Sequence, residues 1–232
     1  IMVRDDWKNL NGLWDYAITE VGKPGIPTSF DGQILVPFAV ESSLSGVGKT
    51  VGAKRELWYR RTFSVPQAWK EKRVLLHFGA VDWVNDVKVG SHTGGFTPFS
   101  FDITAAMNRK GDNKLVVKVW DPTDDGYQPR GKQVNRPEGI WYTPVTGIWQ
   151  TVWLEPVAGH YITNLRITPD IDRNQLSVKV LTNKIDASDL LEVNVFDGTR
   201  LVATGKSVNG ETVDIAMPAD MKLWSPSSPF LY

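Results

Sequence analysis

Apolar and polar residues alternate with a period of two over short stretches of the chain, which is the pattern of half-buried β-strands. One stretch places Leu57, Tyr59 and Phe63 on one side and mainly polar residues on the other. Further stretches of this kind lie at residues 74–78, 99–103 and 115–119. Turn-forming residues separate them, and helical spacing is confined to one turn at 67–72. The pattern predicts an all-β chain built of antiparallel sandwiches.

A change in composition near residues 155–159 predicts a domain boundary. Aromatic residues are dense before it, whereas the later strands consist mainly of leucine, isoleucine and valine. We therefore expect two all-β domains, residues 1–157 and residues 158–232. An immunoglobulin-like sandwich needs about seven strands in about 100 residues, and the second stretch is shorter. We expect this domain to be truncated before its last strand, which would start at Leu231 and Tyr232.

Charge and composition exclude several classes of protein. The chain has 26 basic and 26 acidic residues, which argues against a nucleic-acid binder with its basic excess. No apolar run approaches the roughly 20 residues of a spanning helix, so no membrane insertion is expected. The absence of cysteine excludes disulfides, thiolate metal sites and a cysteine nucleophile. Neither an initiator methionine at position 1 nor an apolar signal segment is present, so we expect a piece of a longer protein.

The residues that usually carry chemistry form no recognisable catalytic motif. The histidines are His77, His92 and His160, and no two of them lie at metal-ligand spacing. The loop with Asp121, Asp124 and Asp125 lacks the EF-hand pattern, although an ion held in another geometry stays an open alternative. No nucleophile elbow or phosphate-binding loop occurs, and nothing singles out a pair of carboxylates for glycoside hydrolysis. The sequence therefore predicts no cofactor, no metal and no catalytic residue.

Residues 121–149 form a long stretch outside any regular pattern. Such loops are uncommon in a compact sandwich and are usually functional or disordered. Aromatic rings can stack on the apolar face of a sugar while amide and guanidinium groups donate to its hydroxyls. The candidate carbohydrate-binding residues of this loop are Tyr127, Gln128, Arg130, Lys132, Gln133, Trp141 and Tyr142. The alternative is that the rings cover the end of the sandwich and the polar groups face water.

Short motifs follow one another along the whole chain. They are WKNLNGLW (7–14), VPFAVES (36–42), LWYRRTF (57–63), FGAVDW (78–83), HTGGFTPF (92–99), DIT (102–104), TGIWQ (146–150) and LWSP (223–226). Their common order, more than any one of them, resembles the amino-terminal region of glycoside hydrolase family 2. That family comprises β-galactosidases, β-glucuronidases and β-mannosidases.

The resemblance implies a galactose-binding-like jelly roll over residues 1–157 and a partial immunoglobulin-like sandwich over 158–232. In the family a (β/α)₈ barrel comes next and carries both catalytic glutamates, one of them in an Asn-Glu dipeptide that this sequence lacks. It therefore implies a non-catalytic amino-terminal fragment of an O-glycosyl hydrolase, inactive alone. Its partners would be a β-glycoside and the catalytic barrel, whose sugar pocket the loop would help to form. A periplasmic or secreted parent enzyme is compatible with this role, and no signal segment indicates it.

Two departures from the family affect what the resemblance implies. The segment at 84–88 is shorter than the family's strand and Asn-Gly turn. Six residues before Gly147, galactosidases and glucuronidases have an aspartate that reaches the active site, and this chain has Trp141. Because an aromatic ring cannot accept hydrogen bonds from sugar hydroxyls as a carboxylate does, neither substrate is assumed. A stand-alone carbohydrate-binding module or lectin, and a structural sandwich without a ligand, stay open as alternatives.

The HTGGFTPF motif also predicts a local geometry. Its consecutive glycines predict a tight turn with at least one positive φ, because glycine adopts conformations that other residues rarely do. The residues that follow should enter the sandwich with Phe99 and Phe101 facing the core.

Overall fold

The computed structural model describes residues 3–81, 84–87 and 90–232, and of residues 84–87 the backbone only. Helical structure in this part of the chain consists of two 3₁₀ turns, Ser43–Ser45 and Gln67–Trp69. The all-β class is therefore confirmed. None of the described helices is long and apolar enough to cross a membrane. The chain divides into two compact units, Arg4–Val157 and Ala158–Tyr232.

The first unit consists of two antiparallel sheets. Its strands are β1 (Lys8–Asn9), β2 (Gly12–Glu20), β3 (Gly32–Val36), β4 (Arg55–Phe63), β5 (Arg73–Phe78), β6 (Val84–Val87), β7 (Gly90–His92), β8 (Phe99–Asp102), β9 (Asn113–Val119) and β10 (Val152–Val157). One sheet has the order β3-β2-β4-β9-β6-β7, and the other has the order β1-β10-β5-β8. Neighbours in a sheet are often far apart in the sequence, as expected of a sandwich with long connections.

One hydrophobic core lies between the inner faces of these sheets. The predicted alternation is observed in β9, whereas β4 buries the consecutive residues 56–59. Tyr59 of β4 pairs with Val117 of β9, and both are fully buried. Trp14 and Tyr59 meet edge to face with ring centroids 6.2 Å apart. Large aromatic side chains bury much apolar area, so they stabilise the sandwich on which the connecting loops rest.

The predicted positive φ is present, because Gly94 has a φ of 103°, and the chain bends at residues 95–97. In β8, Phe99 pairs with buried Phe78 and Phe101 pairs with buried Leu76, so both phenylalanines face the core. They stay only half-buried because β8 is the edge strand of its sheet.

Residues 84–87 of the short segment form strand β6. Strands β6 and β7 pair antiparallel, with Val84 opposite His92 and Val87 opposite Gly90. Residues 82–83, which end the FGAVDW motif, and residues 88–89 lie outside the described residues.

The second unit contains five strands in two small sheets. They are β11 (Ile162–Asp170), β12 (Gln175–Thr182), β13 (Leu190–Asp197), β14 (Arg200–Val208) and β15 (Thr212–Ala216). One sheet has the order β11-β12-β15, and the other pairs β13 with β14. The expected start of a further strand at Leu231 and Tyr232 is wrong, because these described residues belong to no strand. Two residues are too few to form an alternating pattern. They also have no neighbouring strand with which to pair among the described residues, so nothing specifies a strand at this position.

The inner face of β11 is open. Leu165 pairs with Val180 and Ile167 with Val178, so the members of each pair share a face of the sheet. The two valines are buried, whereas Leu165 is 37% exposed and Ile167 is 59% exposed. The core of this unit therefore does not extend over β11.

Candidate functional site

Asp121 ties together the two ends of the long loop. It lies just after β9 and is 4% exposed. Its Oδ1 accepts a hydrogen bond from the backbone N–H of Thr123 at 2.6 Å, and its Oδ2 accepts one from Oγ1 of Thr146 at 2.8 Å. Bonds to a carboxylate are stronger than those between neutral groups, so the loop is closed at its base.

Thr123 adopts a conformation that its sequence does not favour. Its φ is 57°, in the left-handed region, where a β-branched residue is an outlier. Besides the bond from its N–H to Asp121, its carbonyl accepts a hydrogen bond from Nε2 of Gln128 at 2.7 Å. The side chain of Gln128 is therefore used to hold the loop.

Backbone pairing orders the middle of the loop. The N–H of Tyr142 donates to the carbonyl of Lys132 at 2.9 Å, and the N–H of Val134 donates to the carbonyl of Tyr142 at 3.0 Å. A guanidinium nitrogen of Arg130 donates to the carbonyl of Asp124 at 3.1 Å. These bonds give a segment without regular strands a defined backbone.

A cavity of about 160 Å³ opens above this framework. It is lined by Phe96, Asp121, Thr123, Pro129, Arg130, Gln133, Val145 and Trp149. The rings of Phe96 and Trp149 lie 6.3 Å apart at 67°. Nε1 of Trp149 donates to the carbonyl of Gly95 at 3.1 Å, which fixes the orientation of the indole. The cavity thus combines an aromatic wall with amide, guanidinium and carboxylate groups.

The cavity brings together only some of the predicted residues. Arg130 and Gln133 line it, and Trp141 lies beside it with its ring 5.9 Å from the Arg130 guanidinium carbon. The ammonium of Lys132 lies 6.0 Å from the ring of Tyr142, outside the cavity lining.

The other two predicted residues have different positions. Gln128 bonds to the backbone of Thr123, as described above. Tyr127 is fully exposed.

Sequence reasoning missed the aromatic wall. Phe96 belongs to the HTGGFTPF motif and Trp149 to TGIWQ, so both stood in segments used only to recognise the fold. A signal was therefore available: these were aromatic residues in turns, outside the alternating strand pattern. Asp121 and Thr123 were considered only as parts of an ion-binding loop.

The acidic loop shows no metal-binding arrangement. Among the described residues, no group of three or more histidine, aspartate or glutamate side chains could hold a metal ion. The carboxylate of Asp121 accepts bonds from the threonines, and Oδ1 of Asp124 accepts a bond from the backbone N–H of Asn135 at 3.1 Å. These oxygens are already engaged by donors.

Glu41 supplies a second carboxyl group at the base of the loop. Its Oε2 accepts a hydrogen bond from the backbone N–H of Thr146 at 2.9 Å. Burial raises the pKa of Glu41 to about 7, and the charge of Asp121 acts in the same direction, against the hydrogen bonds from Thr146. Both the neutral and the ionised form of Glu41 are therefore populated near neutral pH.

A comparison with protein-family models relates this chain to known proteins: residues 47–154 match the sugar-binding domain of glycosyl hydrolases family 2. All residues that line the cavity lie within this match. The family resemblance inferred from the motifs is thereby confirmed.

Curated relatives extend the similarity. The chain is 27% identical over 250 residues to a β-glucuronidase of Paenibacillus borealis, covering 97% of this chain and 41% of that protein. It is 28% identical over 190 residues to a β-galactosidase of Thermoanaerobacter pseudethanolicus, covering 75% of this chain and 25% of that protein. The chain therefore spans less than half the length of these relatives.

Solved structures show the same fold. A β-glucuronidase from Ruminococcus gnavus in complex with D-glucuronic acid matches with a TM-score of 0.73 at 20% identity, covering 98% of this chain and 42% of that one. A β-glucuronidase of Lactobacillus rhamnosus matches with a TM-score of 0.72 at 24% identity, covering 98% and 41%. The expected fold class, a jelly-roll sandwich followed by an immunoglobulin-like one, is confirmed.

Proposed function

We propose that this chain is the non-catalytic amino-terminal part of a family 2 glycoside hydrolase, and that its loop 121–149 helps to form the sugar pocket of a catalytic barrel. The cavity in the sugar-binding domain carries this proposal. It pairs the aromatic wall of Phe96 and Trp149 with the hydrogen-bonding groups of Arg130 and Gln133.

The lining of the cavity suits a sugar ring. The C–H face of a pyranose packs on aromatic rings, and its hydroxyls need donors and acceptors around the rim. Arg130 donates only, whereas Gln133 both donates and accepts. A β-glycoside would therefore lie against Trp149 with its hydroxyls towards Arg130 and Gln133. Trp141 packs beside Arg130 and restricts its guanidinium group.

The size of the cavity supports a partial site. Pockets that enclose a small molecule usually measure about 300–1,000 Å³, more than the 160 Å³ observed here. Contacts from one or two rings are largely offset by the loss of ligand and loop freedom on binding. We therefore expect the chain alone to bind monosaccharides with millimolar or weaker affinity. The remaining walls would come from the barrel.

The barrel would also supply the chemistry of the parent enzyme. Retaining glycosidases use two carboxyl groups about 5–5.5 Å apart, one as acid/base and one as nucleophile. The proposed substrates are β-glycosides, with β-glucuronides and β-galactosides suggested by the names of the relatives. This chain has Trp141 where galactosidases and glucuronidases have an aspartate. Because of this difference, β-mannosides are also proposed as candidate substrates.

We also propose that the immunoglobulin-like sandwich of the second unit is completed by a further strand of the parent protein. The open inner face of β11, with Leu165 and Ile167 exposed, supports this. A strand laid across that face would bury both side chains and extend the small core.

Calorimetry tests the pocket. Methyl β-D-glucuronide, β-D-galactoside and β-D-mannoside are titrated into the chain, into the Arg130→Ala variant and into a Lys114→Ala control on β9. We expect millimolar binding of at least one glycoside, weakened by Arg130→Ala and unchanged by the control. Micromolar binding of an oligosaccharide by the chain alone would instead favour the lectin alternative.

Activity assays test the missing chemistry. The chain is incubated at high concentration with a panel of nitrophenyl β-glycosides, and we expect no turnover above buffer. Turnover that survives repurification would contradict the non-catalytic role.

A further inference from the structure

Thr146 connects an early motif to the floor of the cavity. Its carbonyl accepts a hydrogen bond from the N–H of Val40 at 3.1 Å, and its own N–H donates to Oε2 of Glu41 at 2.9 Å. Its hydroxyl donates to Oδ2 of Asp121 at 2.8 Å. Asp121 in turn binds Thr123, and both line the cavity. A chain of hydrogen bonds therefore runs from Glu41 to the cavity.

The surroundings of Glu41 favour a neutral carboxyl group. Its Oε1 is buried and has no hydrogen-bond partner among the described residues. Asp121 and the phenol of Tyr59 are the titratable groups that interact with it electrostatically, and neither is a cation. Burial raises the pKa of Tyr59 too, so this phenol stays neutral. Glu41 and Asp121 thus bring two carboxyl groups to the same threonine, and no positive charge among the described side chains acts on Glu41.

We propose that Glu41 is a positioning residue for the cavity, and that in its neutral form it holds Thr146, Asp121 and Thr123 in the arrangement of the cavity floor. Ionisation places a second negative charge beside Asp121 in a poorly solvated position. This favours an open arrangement in which the Glu41 carboxylate reaches water and the Thr146 N–H loses its partner. The proposal relies on the proposed function only in taking the cavity as a sugar site.

The direction and range of the pH effect follow from linkage. The pKa of Glu41 is about 7 when the loop is closed and near its ordinary value of 4.5 when the carboxyl group is solvated. Opening is therefore favoured progressively as the pH rises from about 4.5 to about 7, by up to about tenfold per pH unit, and levels off above. A hydrogen bond whose acceptor does not titrate would not make opening depend on pH in this interval.

Amide hydrogen exchange at Thr146 is the first test. Protection, corrected for the intrinsic exchange rate, is measured between about pH 5 and about pH 8 for the wild type, Glu41→Gln and Glu71→Gln. Glu71 is an exposed glutamate of the same unit. We expect protection to fall at least about tenfold in the wild type and in Glu71→Gln. Glu41→Gln, which mimics the neutral acid, should keep its protection at every pH.

Two results would overturn the proposal: constant protection in the wild type, or the same fall in Glu41→Gln as in the wild type. NMR titration of the Glu41 carboxyl carbon gives a readout without any substitution, and a midpoint near the ordinary glutamate value would also contradict it.

Sugar affinity is the second test and separates the two proposals. Binding of methyl β-D-glucuronide and methyl β-D-galactoside should weaken with rising pH in the wild type and stay constant in Glu41→Gln. If no variant binds either glycoside while the exchange results hold, the positioning role stands and the carbohydrate site is refuted. If binding is observed but its pH dependence is the same in both proteins, the positioning role is refuted instead.

Discussion

The two units of this chain use the same alternating strand pattern with different results. In the first unit, aromatic side chains such as Trp14, Tyr59 and Phe78 fill a core between two multi-stranded sheets. The buried core of the second unit consists of small β-branched side chains: Val178, Val180, Val195, Val213 and Ile215. A site with defined geometry needs a rigid support. The cavity accordingly lies in the unit that has the large core.

Hydrogen bonds anchor connecting segments in both units. The loop 121–149 is closed at its base by buried Asp121 and Thr146. In the second unit, the connection between β12 and β13 has bonds between exposed groups, such as the one from Oγ of Ser188 to Oδ1 of Asp186 at 2.6 Å. Buried Asn209 also anchors it, because its Nδ2 donates to the carbonyl of Lys184 at 3.1 Å. Buried hydrogen bonds are costly to break because the separated groups cannot bond to water. The loop of the first unit, which is closed in this way at its base, also carries residues of the cavity.

The largest expected effect separates the two cores. Phe78→Ala should destabilise the first unit by about 3–5 kcal/mol, because Phe78 is 2% exposed and its removal leaves a cavity. The matched Phe196→Ala in the second unit should cost less than about 1 kcal/mol, because Phe196 is 44% exposed. Urea unfolding followed by tryptophan fluorescence measures the first unit, since Trp224 is the only tryptophan beyond residue 157, and circular dichroism follows the strands of both units. Equal losses would remove the contrast between the units.

The second effect concerns pH. Because the pKa of Glu41 is raised to about 7, the free energy of unfolding of the first unit should fall by about 3 kcal/mol as the pH rises from 4.5 to 7. The difference between wild type and Glu41→Gln isolates this effect. Burial also lowers the pKa values of His77 and His92, and these changes act in the opposite direction.

The second unit should respond to acid, as should the first unit through Asp102 and Asp124, whose pKa values are also lowered. Hydrogen bonds from Ser188, Lys206 and Lys222 lower the pKa values of Asp186, Glu192 and Asp197 respectively. Groups with lowered pKa values stabilise the folded state above their ordinary pKa and lose this effect as the pH falls. Unfolding at several pH values, followed by tryptophan fluorescence for the first unit and by circular dichroism for the whole chain, measures both trends. A loss of stability of the second unit between pH 4.5 and 7 would contradict this assignment.

The smallest expected effect on stability is at the proposed site. Trp141→Ala and Arg130→Ala should change the free energy of unfolding by less than about 1 kcal/mol, because both are loop residues outside the core. In the full-length enzyme, the same substitutions should impair turnover. Unfolding curves and steady-state kinetics of both variants check the two parts. A large loss of stability would show that these side chains support the loop and would weaken their proposed binding role.

Local sequence patterns determined the all-β fold class, the position of most strands and, for many strands, which residues face the core. The alternation of Leu115, Val117 and Val119 assigns them to one face, and all three are buried. The glycines of HTGGFTPF specify a turn because their conformational freedom belongs to the residue itself. Alternation reports only that one face is apolar: Leu165 and Ile167 alternate in the same way and are exposed. Whether an apolar face is covered depends on a strand elsewhere.

The candidate site was determined by tertiary structure. Composition identified the loop, and with it Arg130 and Gln133, but gave Gln128 and Tyr127 the same weight. Only the folded chain brings Phe96 and Trp149 together across distant segments, and only it joins Glu41 to Thr146, which is 105 residues away in the sequence. Strand pairing between remote segments creates these contacts, and a local pattern does not encode the position of a partner so far along the chain.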